Sequence, residues 1–302
     1  MKRLLIHFGY PKAASTTLQN GLFLQLHEKG VINFLGRAFE SQYFGHFDNK
    51  TDYKGWFDKV IASQPRGEQN HIGVLSDERP NLFSEGLFMM NERHGNTITA
   101  PELLHKHFAG QADRLDLLVI IRKQPELIPS YYIQNYRKML QPLFADYLAA
   151  NIKEKWSREA KIFNFYNVLS IYASVFGREH IKIVFFEDFV QNKDRFSEQL
   201  GEALGIAPSL IRPYLGEAKL NATRKEANTL VIRKMGTATM RGRLVFLLDK
   251  LGFKFADAAR TRITDVTDAE KQTIFEQFKD SNRRLAEEFS LDQKAMQDYG
   301  YF

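Results

Sequence analysis

Five consecutive apolar residues, Leu117-Leu118-Val119-Ile120-Ile121, lie between Asp116 and Arg122. A run this short cannot span a bilayer, which takes roughly 20 apolar residues. Its continuity fits a strand covered on both faces, as in a parallel sheet, rather than the alternation of a half-exposed strand. Three further runs are of similar length: 3–8, 71–76 (His-Ile-Gly-Val-Leu-Ser) and 181–186 (Ile-Lys-Ile-Val-Phe-Phe). Helical spacing fills the intervals at 16–28, 100–108, 126–140, 158–176 and 193–204. Strands alternating with helices predict an α/β fold, a parallel sheet flanked by crossover helices. Sheets of this kind bind ligands at the carboxyl ends of their strands.

Polar residues collect at those ends. The first run breaks at Gly9-Tyr10-Pro11, and Lys12, Ser15, Thr16 and Thr17 follow before a helical pattern begins. A strand, a tight turn with one lysine and several hydroxyls, and a helix start make an anion cradle. Free N–H groups and the positive helix end face the ligand, and the lysine adds a mobile charge. The arrangement differs from a nucleotide-triphosphate P-loop, which is glycine-rich and places lysine just before Ser/Thr at its end. Here Lys12 comes early and Gly9 stands alone. After the third run, Arg122 is followed eight positions later by Ser130, with Pro125 and Pro129 between them. The spacing predicts a turn and a helix start. A strand-end arginine and a helical serine can converge on one phosphate, the arginine through its bidentate fork.

Two anion clamps are what a bis-phosphorylated nucleotide requires, and both have a counterpart in one family. Tyr10-Pro11-Lys12-Ala13-Ala14-Ser15-Thr16 resembles the 5′-phosphosulfate loop, Tyr-Pro-Lys-x-Gly-Thr-Thr, of sulfotransferases that use 3′-phosphoadenosine 5′-phosphosulfate (PAPS). Arg122 and Ser130 resemble its 3′-phosphate motif. Ala14 stands where the pattern has glycine, so a positive φ at that position would strain it. The segments 172–177, 183–189 and 200–206 are similar to later parts of the family, with Glu187-Asp188 read as a structural pair that caps a helix or braces the cofactor loops.

The resemblance implies a P-loop-like sheet, PAPS as donor and 3′,5′-bisphosphoadenosine as product, with no metal. Lys12, Ala13, Ala14, Ser15, Thr16, Thr17, Arg122 and Ser130 would hold the nucleotide. Arg224 and Lys225 would join them, although Glu226 stands where the family often has glycine. Sulfuryl transfer also needs a base for the acceptor proton. Glu78, just past the second run in Ser76-Asp77-Glu78-Arg79, is the leading candidate, with Asp77 and His46 as alternatives. The glutamate resembles that of carbohydrate sulfotransferases, so the acceptor is expected to be a hydroxyl of a carbohydrate or glycolipid.

Composition narrows the alternatives. There is no Cys among the 302 residues, which excludes disulfides and thiolate chemistry. The net charge of +6 fits a small polyanionic ligand, leaves peripheral membrane contact open, and gives no specific pointer to nucleic acid. Met1 to His7 begins like a signal peptide, but its apolar run is too short. The expectation is a cytoplasmic, bacterial-type protein. Residues 1–302 read as one domain, an α/β core at 1–225 and a helical C-terminal cap at 226–302, where strand signals fade and 268–289 forms an amphipathic helix. The basic stretch Arg233, Lys234, Arg241 and Arg243 reads as a solvated helix face. The rival readings are a small-molecule kinase using ATP and magnesium, and a nucleotide-binding module without turnover.

Overall fold

The structure is a computed structural model and describes residues 3–10, 12–37, 72–77, 101–102, 105, 108–110, 112–135, 143–216, 229–233, 260–264 and 266–302. Five strands form the main sheet: β1 (Arg3–Gly9), β2 (Asn33–Arg37), β3 (Ile72–Asp77), β4 (Arg114–Ile121) and β5 (Ile181–Phe185). They are all parallel and run in the order β2-β3-β1-β4-β5. Leu4, Leu5, Ile6 and Phe8 of β1 and Leu117 to Ile121 of β4 are buried. The continuous apolar runs are therefore the two central strands, covered on both faces.

Helices cover the sheet. The stretch α1 is made of an α turn (Ser15–Thr17), a π segment (Leu18–Phe23) and a second α segment (Leu24–Glu28). After it come α2 (Gln124–Asn135), α3 (Phe144–Lys153), α4 (Phe165–Phe176), α5 (Phe186–Gln191) and α6 (Lys193–Leu204). The helix expected over 158–176 is divided: a 3-10 segment (Arg158–Phe163) precedes α4. Asn164 makes the division, because its side chain accepts the Asn167 N–H at 3.1 Å and starts a new helix. The limits of α6 agree with its spacing. Asn192 caps its start, and Gly205 ends it at φ +70°, where a Cβ would lie 3.2 Å from the Arg3 guanidinium.

At the amino end of the sheet, two guanidinium groups and one imidazole turn onto one buried carboxylate. Asp116 is fully buried and accepts from Arg3 Nε, from Arg114 Nε (2.8 and 3.0 Å to its two oxygens) and from His180 Nδ1 at 2.9 Å. Burial pushes the Asp116 carboxyl up, but the bonds from His180 and Arg114 and the Arg3 charge outweigh it. The net position lies below the usual carboxylate range.

Beyond residue 226 the structure corrects the all-helical expectation. β6 (Thr229–Arg233) and β7 (Arg260–Thr264) form an antiparallel ribbon, Thr229 opposite Thr264 and Arg233 opposite Arg260. The β-branched residues Thr229, Val231, Ile232, Thr261, Ile263 and Thr264 favour strands. Of the basic stretch, Arg233 closes β6, and the other three residues lie outside the described ones. The helix expected at 268–289 is present as α7 (Asp268–Glu288), opened by a Thr267–Glu270 capping box. It packs on α2 and α4, burying Ile274, Phe278 and Leu285 in the main core. A short helix, α8 (Gln293–Tyr299), follows.

Candidate functional site

The strand order fixes where the sheet opens. The chain leaves β1 towards β2 on one side and leaves β4 towards β5 on the other. Adjacent strands whose connections part in this way leave a crevice at their carboxyl ends. Gly9 lies level with Ile120 across the pair, so the loops after β1 and β4 begin side by side. Those are the loops that carry Lys12 and Arg122.

The Lys12 loop is tightly wound. The Ala13 N–H bonds back to the Tyr10 carbonyl at 3.1 Å, and the Leu18 N–H to the Ala14 carbonyl at 3.1 Å. Lys12 and Ala14 both have left-handed backbones, at φ +65° and +63°. The position where the family pattern has glycine therefore needs a positive φ, and alanine occupies it at a cost of about 1–2 kcal/mol. Strain of this kind persists where the surroundings over-determine it, commonly at ligand sites. Tyr10 anchors the loop: it is buried, donates to the Ile162 carbonyl at 3.0 Å and meets Phe165 edge-on. Ala13 is buried too, so it offers backbone alone. Ser15 is buried, with its hydroxyl turned towards the Tyr10 carbonyl at 3.5 Å, which gives it a part in holding the turn. Thr16 is exposed and Thr17 half-buried at the helix start.

Arg122 is brought to this loop. Its Nη1 donates to the Lys12 carbonyl at 3.2 Å, and its guanidinium lies 4.8 Å from the centre of the Phe186 ring. Among the described residues it pairs with the Glu126 carboxylate at 3.9 Å, which also pairs with Lys271 at 3.0 Å. Burial lowers the Arg122 pKa and the Glu126 and Glu187 charges oppose this; the group remains a cation. Among the described residues, its hydrogen-bond and ring partners are thus neutral, with the carboxylates of Glu126 and Glu187 acting at longer range.

Ser130 stands further away. α2 begins at Gln124, with the Lys123 carbonyl accepting from Glu126 N (3.1 Å) and Leu127 N (2.9 Å). Pro129 lies inside the helix, whereas a proline spacing that predicts a turn and a helix start would put it at the beginning. The buried residues Leu127, Ile128, Tyr131 and Tyr132 carry the helix through it. Ser130 sits in the second turn, about 9 Å along the axis from Gln124. Its hydroxyl makes no hydrogen bond to Arg122 or to the loop.

Glu187 takes the bracing role expected of it. Its Oε1 accepts the Lys123 N–H at 3.0 Å, so it holds the residue next to Arg122. Burial raises its pKa, and the Lys123 N–H and the Tyr301 hydroxyl pull the other way. Asp188 accepts from the Tyr299 hydroxyl.

Beneath the loop lies a polar cluster that the sequence reading passed over. His7 is buried on β1, level with Ser76, and its Nδ1 is 2.7 Å from the Ser76 hydroxyl. Gln19, from the π segment of α1, donates to the same hydroxyl at 2.8 Å. Burial lowers the His7 pKa to about 3, so the ring is neutral. The cluster ties β1, the end of β3 and α1 together. Two polar residues in otherwise apolar runs, His7 and Ser76, were the available signal.

Asp77 ends β3 level with Phe8, one strand from the Lys12 loop. Glu78, His46, Arg224 and Lys225 lie outside the described residues. Among the described residues no cluster of His, Cys, Asp and Glu could hold a metal ion, and no helix is long and apolar enough to cross a membrane.

No family model matches the chain, and no curated protein matches its sequence. Its fold is similar to that of a solved sulfotransferase from Alicyclobacillus acidocaldarius. The TM-score is 0.54 at 12% identity, covering 98% of this chain and 99% of the other. The sulfotransferase domain from the curacin biosynthetic pathway aligns at a TM-score of 0.38, also at 12% identity, covering 97% and 99% of the two chains. The likeness to the first is one of fold, an α/β architecture with a P-loop-like parallel sheet.

Proposed function

We propose that the chain is a sulfotransferase that moves a sulfuryl group from PAPS to an acceptor hydroxyl on a carbohydrate or glycolipid. The observation that carries this reading is the 3.2 Å contact between Arg122 Nη1 and the Lys12 carbonyl. Two cationic motifs 110 positions apart meet at the crevice of the sheet, as a nucleotide phosphorylated at both ends requires. The positive φ at Ala14 supports it too, since the sulfotransferase pattern has glycine there.

In this reading the loop at 12–17 holds the 5′-phosphosulfate, and Arg122 and Ser130 hold the 3′-phosphate, joined by Arg224 and Lys225. The acceptor oxygen attacks sulfur in line with the leaving phosphate, by analogy with phosphoryl transfer. The new O–S bond forms as the S–O bond to the 5′-phosphate breaks, and its electron pair stays on the phosphate oxygen. The Lys12 ammonium and the amides at the start of α1 stabilise that charge. Glu78 takes the acceptor proton, with Asp77 and His46 as the other candidates. The donor is a substrate and the chemistry needs no metal. The place of action is the cytoplasm.

The test is incubation with ³⁵S-labelled PAPS and a panel of sugars, glycolipids and phenols, with and without EDTA. Label is expected on a sugar hydroxyl at an unchanged rate in EDTA. Transfer of phosphate from ATP that EDTA stops would make the chain a kinase, and nucleotide binding without transfer to any acceptor would make it a binding module.

A further inference from the structure

We propose that Tyr301 is a positioning residue for the 3′-phosphate clamp, acting on Arg122 through two separate relays; the inference rests on the nucleotide site described above. Arg122, Lys123 and Gln124 leave β4 as a unit, and each is fastened by a different group. Arg122 is held by the Lys12 carbonyl and the Phe186 ring. The Lys123 N–H donates to Glu187 Oε1 at 3.0 Å. The Gln124 amide is buried; it exchanges two bonds of 2.9 Å with Asn282 and donates to the Phe163 carbonyl at 3.1 Å.

Tyr301 joins the last two fastenings. Its hydroxyl donates to Glu187 Oε2 at 2.9 Å, and its carbonyl accepts from Asn282 Nδ2 at 2.9 Å. Tyr301, Glu187, Asn282 and Gln124 are all buried, so a bond lost here is not replaced by solvent. Without the Tyr301 hydroxyl, the buried Glu187 carboxylate keeps the Lys123 N–H and loses a donor to its other oxygen. A less anchored carboxylate leaves Lys123 freer to shift, and Arg122 with it. Tyr299 provides an internal comparison: its hydroxyl donates to the neighbouring Asp188 and not to Glu187.

The measured quantity is the ratio of dissociation constants for 5′-AMP and 3′,5′-bisphosphoadenosine, which isolates the 3′-phosphate. Tyr301→Phe, which removes one oxygen and keeps the ring, is expected to lower this ratio by about threefold to tenfold. Its affinity for 5′-AMP should stay unchanged. Glu187→Gln should lower the ratio in the same direction, and Tyr299→Phe should not change it. A purely structural Tyr301 would lower both affinities together or neither, and either result overturns the inference. Arg122→Met separates the two levels. If Arg122→Met lowers the ratio and Tyr301→Phe does not, the positioning role fails alone. If Arg122→Met leaves the ratio unchanged, the nucleotide reading beneath it fails.

Discussion

At the amino end of the sheet, Arg3 of β1, Arg114 of β4 and His180 ahead of β5 converge on Asp116. At the carboxyl end, Lys12 follows β1 and Arg122 follows β4, and among the described residues the carboxylate paired with Arg122 is the half-exposed Glu126. The same central strands thus carry cations at both ends. The lower set shares one acid at hydrogen-bond distance. Arg122, in the upper set, is oriented by a carbonyl and an aromatic ring, and among the described residues its carboxylate partner is 3.9 Å away and shared with Lys271. The loop at the upper end also carries backbone strain, since Lys12 and Ala14 are left-handed there. The difference teaches that position in a sheet does not make a cation a ligand; its partners do. One end uses its charges to hold the fold, and the other is the end proposed to take an anion.

Substitutions at the two ends should therefore move different observables. The largest effect is expected from Lys12→Ala, a loss of roughly 10²–10³-fold in sulfuryl transfer with little change in melting temperature, as when a donor to developing charge is removed. Transfer at an undiminished rate would take Lys12 out of the chemistry.

Asp116→Asn should act in the opposite way. It leaves the guanidinium groups of Arg3 and Arg114 around a neutral amide and should cost about 3 kcal/mol in denaturant unfolding. Nucleotide affinity should be unaltered. The Asp116 carboxyl titrates below its ordinary 3.8 in the folded protein. Its contribution is therefore complete above that value and is lost as the pH falls through the depressed one. The difference between wild type and Asp116→Asn should shrink below about pH 3.8 and be constant above it.

Arg122→Met is expected to weaken 3′,5′-bisphosphoadenosine by about tenfold to a hundredfold, the range for a charge-assisted bond, as calorimetry would read it. The smallest effect belongs to Ala14→Gly. Relief of the left-handed alanine outweighs the added freedom of the unfolded chain, and a net gain of about 0.5 kcal/mol is expected by thermal unfolding. A loss of stability would mean that the methyl group packs usefully.

The central strands and the cationic residues at their upper ends were legible in the sequence because both are local. Leu117 to Ile121 and Leu4 to Phe8 declare strands by continuity, and Lys12 and Arg122 follow them directly. The edge strand β2 was missed. It offers only Phe34 and Leu35 as a core signal, and its pairing with β3 is irregular between Phe34 and Arg37. α5 and α8, at six and seven residues, are too short for a 3.6-residue period to show. α3 was findable, since Phe144, Tyr147 and Leu148 lie at helical spacing on its buried face. Ser15 and Ser130 show the limit for the site. Their types and spacing suit a phosphate, but side-chain direction decides their use, and Ser15 faces the Tyr10 carbonyl. The ties from Gln124 to Asn282 and from Glu187 to Tyr301 join residues more than a hundred positions apart, and no sequence period records them.

The central claim is that the carboxyl end of the sheet is a two-clamp site for a nucleotide phosphorylated at both ends. Titration calorimetry of the full chain with 3′,5′-bisphosphoadenosine, 5′-AMP and ATP with magnesium tests it most directly. The account predicts that the bisphosphate binds at least tenfold more tightly than either competitor. Equal affinity for 5′-AMP, or a preference for ATP with magnesium, would contradict it.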